Sequence, residues 1–486
     1  MDNDEDLQTI DRSKITLTRS LGLTTGILMV ASMVIGSGAF KKIAPMSAVL
    51  MSKEYILLAW ILAGVISILG AFTVSGYSSL TTDSGGIYEY LRITFGNLFS
   101  FLYGWASFTI LGSGGIAAVA FIFAQSVNYI APLPNPFSAW ENVSLAHYIF
   151  PFESSGVKLL AVATVVCLTW INILGTRKGG ILNNVVTIAK IAGIIILIVM
   201  GLCYSSPAVS EPVKHVTAAP QNTNIFSAII VAMMSAFWAY DGWYCFGFLS
   251  GEIKNPKKNV PVSVITGIGI CMLLYVVLNY AFMHVLPLST LAGISENDIA
   301  GLQVARVLSG NTGAVFIALL IVISTFGALN AIVIAYPRLY YRMAQERFFP
   351  KHASYVHPRY RTPYVALIYS MVWSCLMIVT GTFDILTNIV IIVEFLFFAL
   401  LGWGLIKMKR AGKISGNLIL YPLSPIVLIL FSLGLVINSL MVQPMQSLMG
   451  LLFTLSGVPI YYYYQSKNKL HKAQQDHKNA IKTNAV

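Results

Sequence analysis

Long apolar runs recur from near the start of the chain to its last few dozen residues, separated by short polar or proline-bearing stretches. A helix crossing the hydrocarbon core of a bilayer needs a mostly apolar run of about 20 residues. The pattern predicts roughly twelve such spans, at 21–46, 55–80, 97–130, 157–175, 179–204, 224–250, 261–286, 311–336, 363–381, 384–406, 417–440 and 445–464. The connection 131–156, with Pro132, Pro134, Pro136 and Pro151, reads as a loop, and so do 205–223 and 287–310. One membrane domain, 21–464, is expected between a tail at 1–20 and a polar, basic tail at 465–486. The first residues are acidic and polar and no A-x-A-like site follows the first apolar run, so no cleavable signal peptide is expected.

Two spans are interrupted. The first carries Gly36-Ser37-Gly38 in the middle of its apolar run, and the sixth carries Asp241-Gly242 amid aromatic residues. Glycine weakens a helix and tolerates unusual dihedrals. A helix that opens inside a bilayer frees N–H and C=O groups that lipid cannot satisfy, so the break must be buried in protein or line a cavity. Freed N–H groups can hold a carboxylate, which makes the first break a candidate binding site at mid-membrane depth. Close helix–helix contact is the other use of small residues there. Interruptions five spans apart are what an inverted repeat of five helices would produce, about 21–204 against 224–406, with 417–464 outside it. The matched breaks carry this expectation, since the halves share no strong residue identity.

Composition agrees with the pattern. Of 486 residues, 56% are hydrophobic and 10% charged, whereas a soluble globule carries about a quarter charged residues. The net charge of +12 does not point to nucleic acid, because the basic residues are sorted by topology. With the N-terminus inside, 24 lysines and arginines fall in cytoplasmic segments. Six fall opposite (Lys41, Lys42, Lys53, Lys158, Lys214 and Arg306), and Lys190 lies inside a span. This asymmetry predicts that both termini are cytoplasmic. Cys167, Cys203, Cys245, Cys271 and Cys375 have neither metal-ligand spacing nor the look of a disulfide framework.

Several short stretches resemble one family. They are Ile35-Gly36-Ser37-Gly38-Ala39-Phe40, Ser84-Gly85-Gly86-Ile87-Tyr88, Tyr240-Asp241-Gly242-Trp243, and the run from Glu252 through Pro256 to Pro261. Ser324-Thr325-Phe326-Gly327-Ala328-Leu329-Asn330 and Pro337-Arg338-Leu339-Tyr340-Tyr341 follow. In this order and on these spans, the chain resembles the amino acid–polyamine–organocation superfamily, and most of all its L-type amino acid transporter branch. The resemblance implies an all-α integral membrane protein with the five-plus-five inverted-repeat fold of the leucine transporter class, helices one and six unwound.

An amino acid zwitterion needs donors for its carboxylate and acceptors for its ammonium. Freed amides at Ser37 and Gly38, with the Ser37 hydroxyl, can donate, and freed carbonyls near Val34, Trp238, Ala239 and Asp241 can accept, with Ile35 and Gly36 counted among the expected substrate contacts. These positions match those the family uses. Trp238 matches the family's aromatic gate, which closes over the ligand; an ordinary packed aromatic is the alternative.

Lys190 is costly inside a span, and such residues are usually functional. The resemblance puts it where sodium-coupled relatives hold sodium, between spans one, five and eight, with Ser324 or Thr325 as partner. An ammonium there replaces the ion, so no sodium requirement is expected; proton coupling by Lys190 is the other possibility. Asp241 either caps freed N–H groups or meets a substrate cation. Glu394, on the tenth span, reads as a substrate-specificity residue, a proton carrier or a hydrogen-bonded structural acid. Lys41 and Lys42 depart from the family's apolar residues, and solvation at a helix end is expected for them ahead of anion attraction. Pro256 and Pro261 are expected to end helical structure, and Glu252 with Arg338 and Arg342 forms a candidate inner salt-bridge gate.

The expected function is a sodium-independent amino acid transporter of the cell membrane, exchanging neutral L-amino acids by alternating access. A proton-coupled symporter and an amino acid-binding membrane sensor are the alternatives. No cofactor, metal or nucleic acid is implied, and no enzyme constellation appears at mid-span. Animal relatives bond a partner through a cysteine in the loop after span three. Segment 131–156 has none, so no disulfide-linked heavy chain is expected.

Overall fold

The computed structural model describes residues 22–80, 86–143, 149, 151–174, 180–205, 224–246, 253–360, 362–414 and 416–469. These are helical or irregular. The N-terminal part comprises α1 (Leu23–Val34), α2 (Gly38–Lys41), α3 (Ile43–Leu50), α4 (Lys53–Ser75) and α5 (Gly86–Phe95). Then come α6 (Asn97–Ala106), α7 (Gly112–Ile130), α8 (Ser155–Leu174), α9 (Gly180–Leu202) and α10 (Ile225–Tyr240). The rest comprises α11 (Pro256–Val285), α12 (Leu288–Ala292), α13 (Ala300–Gln345), α14 (Tyr364–Thr380), α15 (Phe383–Arg410), α16 (Leu423–Val442) and α17 (Pro444–Leu455).

Among the described residues, 8 helices are long and apolar enough to cross a membrane, and Leu23–Val34, Thr187–Leu202 and Tyr364–Thr380 are shorter apolar helices. Large apolar side chains such as Leu273, Leu430 and Met441 face outward. Lipid tails satisfy such a surface where water would not. The chain is a multi-pass membrane protein.

Helix α1 packs on α11 and α9, while α10 packs on α4 and α15. Helix α7 lies against α13, α14 and α8, and α13 also meets α9 and α14. Helix α16 covers α15 and α4 from the side. Each interrupted segment thus packs against one helix from the other half of the chain (α11 for α1, α4 for α10) and one from its own (α9 for α1, α15 for α10).

Two local expectations are corrected. The region 287–310 is not simply a loop: it holds α12 and the first turns of α13, which kinks at Ser309–Gly310, where Gly310 has φ +68°. Helix α12 packs on α3 at one end of the bundle, so its short, partly polar sequence carries no spanning signature. Pro256 and Pro261 do not end a helix. Pro256 starts α11, and Pro261 lies inside it. Pro256 is tolerated because at a helix start the N–H it lacks has no intrahelical acceptor, whereas Pro261 sits past the first turn and costs the helix one backbone bond.

Candidate functional site

The first break lies between α1 and α2. Ile35 still donates its N–H to Ala31 at 2.7 Å, and its own backbone is extended, with ψ 91°. The N–H groups of Gly36, Ser37 and Gly38 find no backbone acceptor among the described residues. Ser37 is only 2% exposed. Three successive backbone donors without a backbone acceptor at a buried position are groups that an anion could satisfy.

The second break follows α10. Tyr240 ends the helix, Asp241 is extended (ψ 161°), and Gly242 has φ +94°, a conformation that favours glycine. The Asp241 carboxylate accepts the Gly242 N–H at 2.6 Å. It therefore caps the break locally.

The two breaks touch. A Cβ on Gly38 would lie 2.6 Å from the Ala239 Cα, and one on Gly242 would lie 3.0 Å from the Met33 carbonyl oxygen. Both glycines are thus required by close approach. Tyr275 of α11, fully buried, ties the breaks together: its hydroxyl is 3.0 Å from the Val34 carbonyl oxygen and 3.2 Å from that of Ala239, sharing one proton between them. Sequence reasoning missed Tyr275. A tyrosine in an apolar span looks like ordinary packing, and only its position against two freed carbonyls marks it out.

Lys190 of α9 is 6% exposed and donates to the Ile35 carbonyl at 3.3 Å. The ammonium thus serves the first break directly. Thr325 of α13 returns its hydroxyl to Ile321 of its own helix at 2.7 Å, the usual back-bond of a helical threonine. The Ser324 hydroxyl is buried with no hydrogen-bond partner among the described residues. Neither is hydrogen-bonded to Lys190; the carbonyl freed by the break takes that proton.

Trp238, 8% exposed, sits one turn before the second break, and its ring meets Phe383 edge-on at 6.0 Å and 87°. Asp241 and Glu394 line one crevice with Phe237, Trp243 and Phe398. The space there open to the centre of a water molecule is about 10 Å³, enough for about one water. Glu394 is 4% exposed, and its Oε1 has no hydrogen-bond partner among the described residues.

Lys41 and Lys42 are not solvated. They are 2% and 1% exposed. Lys42 forms an ion pair with Asp384 at 2.6 Å and donates to the Thr387 hydroxyl at 2.7 Å. Lys41 donates to the Gln125 amide oxygen at 2.8 Å and to the Glu296 backbone carbonyl. Both ammonium groups lie 4.6 Å from the centre of the Phe383 ring. Folding brings α7, α15 and the α12–α13 connection over the helix end that sequence alone leaves bare, and their oxygens replace water.

A second ionic cluster lies on α5 and α13. Arg92 pairs with Glu89 at 2.6 Å, Arg342 with Glu346 at 2.9 Å, and the Tyr88 hydroxyl donates to Glu346 at 2.7 Å. The hydrogen bond to Glu89 raises the Arg92 pKa above its ordinary value. Glu252, the expected partner of Arg338 and Arg342, lies outside the described residues. Among the described residues, no group of ≥ 3 His, Cys, Asp or Glu side chains is placed to hold a metal ion.

Two interrupted helices packed on each other, with a cation bonded to one break, are an arrangement typical of membrane carriers for small solutes. Comparison with known families agrees. The amino acid permease family model matches residues 21–462, so the chain belongs to that family, within the amino acid–polyamine–organocation superfamily. It is 29% identical over 451 residues to the serine/threonine exchanger SteT of Bacillus subtilis (strain 168), covering 92% of this chain and 97% of that one. It is 29% identical over 454 residues to the b(0,+)-type amino acid transporter 1 of Mus musculus, covering 92% and 88%. It is 27% identical over 463 residues to the large neutral amino acids transporter small subunit 2 of Homo sapiens, covering 94% and 82%. By name the first is an exchanger and the other two are transporters.

Proposed function

We propose that this chain is a sodium-independent exchanger of neutral L-amino acids that works by alternating access in the cell membrane, with both termini in the cytoplasm. The observation that carries the reading is the first break. Its unclaimed N–H groups at Gly36, Ser37 and Gly38 suit a substrate carboxylate, and its Ile35 carbonyl already holds the Lys190 ammonium. A fixed cation in that place removes the need for a bound one. The Tyr275 hydroxyl occupies one lone pair each on Val34 and Ala239. Each carbonyl oxygen keeps a second lone pair for the substrate ammonium, with Trp238 closing over it. Neither interrupted stretch, 28–46 or 233–250, carries an arginine for an acidic side chain. The similarity to a serine/threonine exchanger and to carriers of neutral amino acids supports both substrate class and mode.

The same reading takes the fold to be a five-plus-five inverted repeat within twelve spans. The contacts support it: α1 against α11 mirrors α10 against α4, α1 against α9 mirrors α10 against α15, and α8 against α13 mirrors α14 against α7. The absence of cysteine from 131–156 supports a carrier that works without a disulfide-linked heavy chain.

One observation favours a second reading. Asp241 and Glu394 face the same buried crevice, and two carboxylates in one low-dielectric site favour sharing a proton. A proton-coupled symporter would use that proton. Uptake of radiolabelled serine, threonine and leucine into proteoliposomes separates the two, without sodium. Uptake only into vesicles preloaded with unlabelled amino acid is the expected result. Uptake into empty vesicles that rises with an inward proton gradient would replace exchange by symport. Binding without uptake would make the protein a sensor.

A further inference from the structure

Helix α13 ends in a conformation that its sequence does not favour. The Phe348 N–H bonds to the Met343 carbonyl at 2.8 Å, and the Arg347 N–H bonds to that of Ala344 at 3.1 Å. This pair of bonds closes a helix when the residue after the cap is left-handed, and glycine usually holds that place. Here Arg347 holds it, with φ +63°. A side chain in this conformation costs stability that glycine would keep, and backbone strain of this kind gathers at functional positions. The Arg347 side chain is exposed and forms no ion pair among the described residues.

Packing brings a second basic segment to this turn. The last described helix, 457–469, follows α17 after a turn at Ser456. Its Tyr461 is buried, stacked on Phe348 at 5.4 Å and 5.5 Å from the Phe101 ring of α6. Further along, the Asn468 side-chain amide donates to the Arg347 carbonyl at 3.2 Å, across 121 residues of sequence. Lys467 and Lys469 flank Asn468 and are exposed, as is Lys351 in the short turn Lys351–Ser354. The Lys467 ammonium lies 5.9 Å from the centre of the Tyr463 ring, and Tyr462 and Tyr463 are both exposed. Neither 347–364 nor 455–469 contains an Asp or Glu. The cations therefore gather with no local carboxylate to neutralise them. They also stand where apolar helices leave the bilayer, since α13 ends at Gln345 and α14 starts at Tyr364. Exposed tyrosines at such a level belong beside lipid headgroups.

We propose that Arg347, Lys351, Lys467 and Lys469 hold the phosphodiester of an anionic phospholipid, whose glycerol and upper chains lie against Tyr462 and Tyr463. Arginine offers a planar fork of donors that matches phosphate geometry, and the lysines add point charges. The bound lipid ties the end of α13 to the last helix, and it stabilises the fold by binding only the folded chain. The site does not depend on what the protein carries.

The test uses the full-length protein in neutral detergent, titrated with short-chain phosphatidylglycerol and read by its melting temperature. Phosphatidylglycerol should raise that temperature, and short-chain phosphatidylcholine should not. Arg347→Gly separates binding from folding, because glycine suits the left-handed turn. Its melting temperature without lipid should not fall, while the phosphatidylglycerol concentration that gives half the rise should increase about fivefold, the loss expected for one basic residue at an anionic lipid. Lys467→Gln should move the half-point in the same direction. Lys413, exposed just past α15, is the control. It lies at the same end of the bundle, since Lys407 of α15 reaches Thr94 of α5 and Tyr88 of α5 reaches Glu346. Lys413→Gln should leave the half-point where it was. An equal shift in that variant would reduce the site to diffuse surface charge and overturn the proposal, as would an unchanged half-point in Arg347→Gly. Inorganic phosphate and glycerol phosphate should have no effect at the concentrations where the lipid acts. A matching rise would make the occupant a soluble phosphate and overturn the lipid site.

Discussion

The two ionic clusters differ in one respect that decides their energetics. The difference lies in the cations: the Lys42 side chain is 1% exposed, whereas Arg92 and Arg342 are 36% and 55% exposed, while the carboxylates Asp384, Glu89 and Glu346 are all largely covered. A dry pair pays a large desolvation cost on forming and leaves an uncompensated charge when one partner goes. A wet pair gains little and loses little, because water and salt already screen it. Similar chemistry therefore gives a strong contact where Lys42 meets α15 and a weak one on α5 and α13. The comparison teaches that ion-pair distance says less than burial about what holds these helices together.

Breaking the dry cluster should have the largest effect. Asp384→Ala strands Lys42 in a buried site and should cost about 3–5 kcal/mol, read as a lowered melting temperature in nanodiscs; an unchanged melting temperature would mean that Lys42 escapes to water. Next comes the contact between the breaks. Gly38→Ala would put a methyl group 2.6 Å from the Ala239 Cα. Overpacking of this kind costs about 1–3 kcal/mol, and exchange should fall sharply, whereas full activity would show that α2 moves aside freely. Tyr275→Phe removes the hydroxyl that joins Val34 and Ala239 and should cost about 1 kcal/mol, with a rise in KM because the freed carbonyls gain water. The smallest change is expected from Glu346→Gln at the wet cluster, about 0.2–1 kcal/mol. That difference should vanish in about 1 M salt, where the Debye length is about 3 Å, while the effect of Asp384→Ala persists. Equal salt sensitivity at both clusters would erase the distinction drawn here.

The parts of the site that were legible in sequence share a physical signature. Gly36-Ser37-Gly38 and Asp241-Gly242 stand out because flexible or polar residues are costly in an apolar span and must be compensated. Lys190 stands out for the same reason, and its bond to Ile35 ties it to the first break. Tyr275 and Phe383 were not legible, because aromatic residues in apolar runs are ordinary. Lys41 and Lys42 were legible as charges but misread as solvated. Their place at a helix end gives no hint of a cover built from α7, α15 and the α12–α13 connection. Pro256 was read as a stop when it is a start, since the same missing N–H suits either side of a helix boundary.

What the sequence determined by itself is the membrane class, the family and the position of both helix breaks, because hydropathy, local helix propensity and short motifs act over neighbouring residues. What only the tertiary structure decided is which groups fill the breaks and which charges are dry. Val34 meets Tyr275, Ile35 meets Lys190 and Lys42 meets Asp384 across separations of 241, 155 and 342 residues. Burial is a property of such long-range packing, and it sets the strength of every polar contact described here.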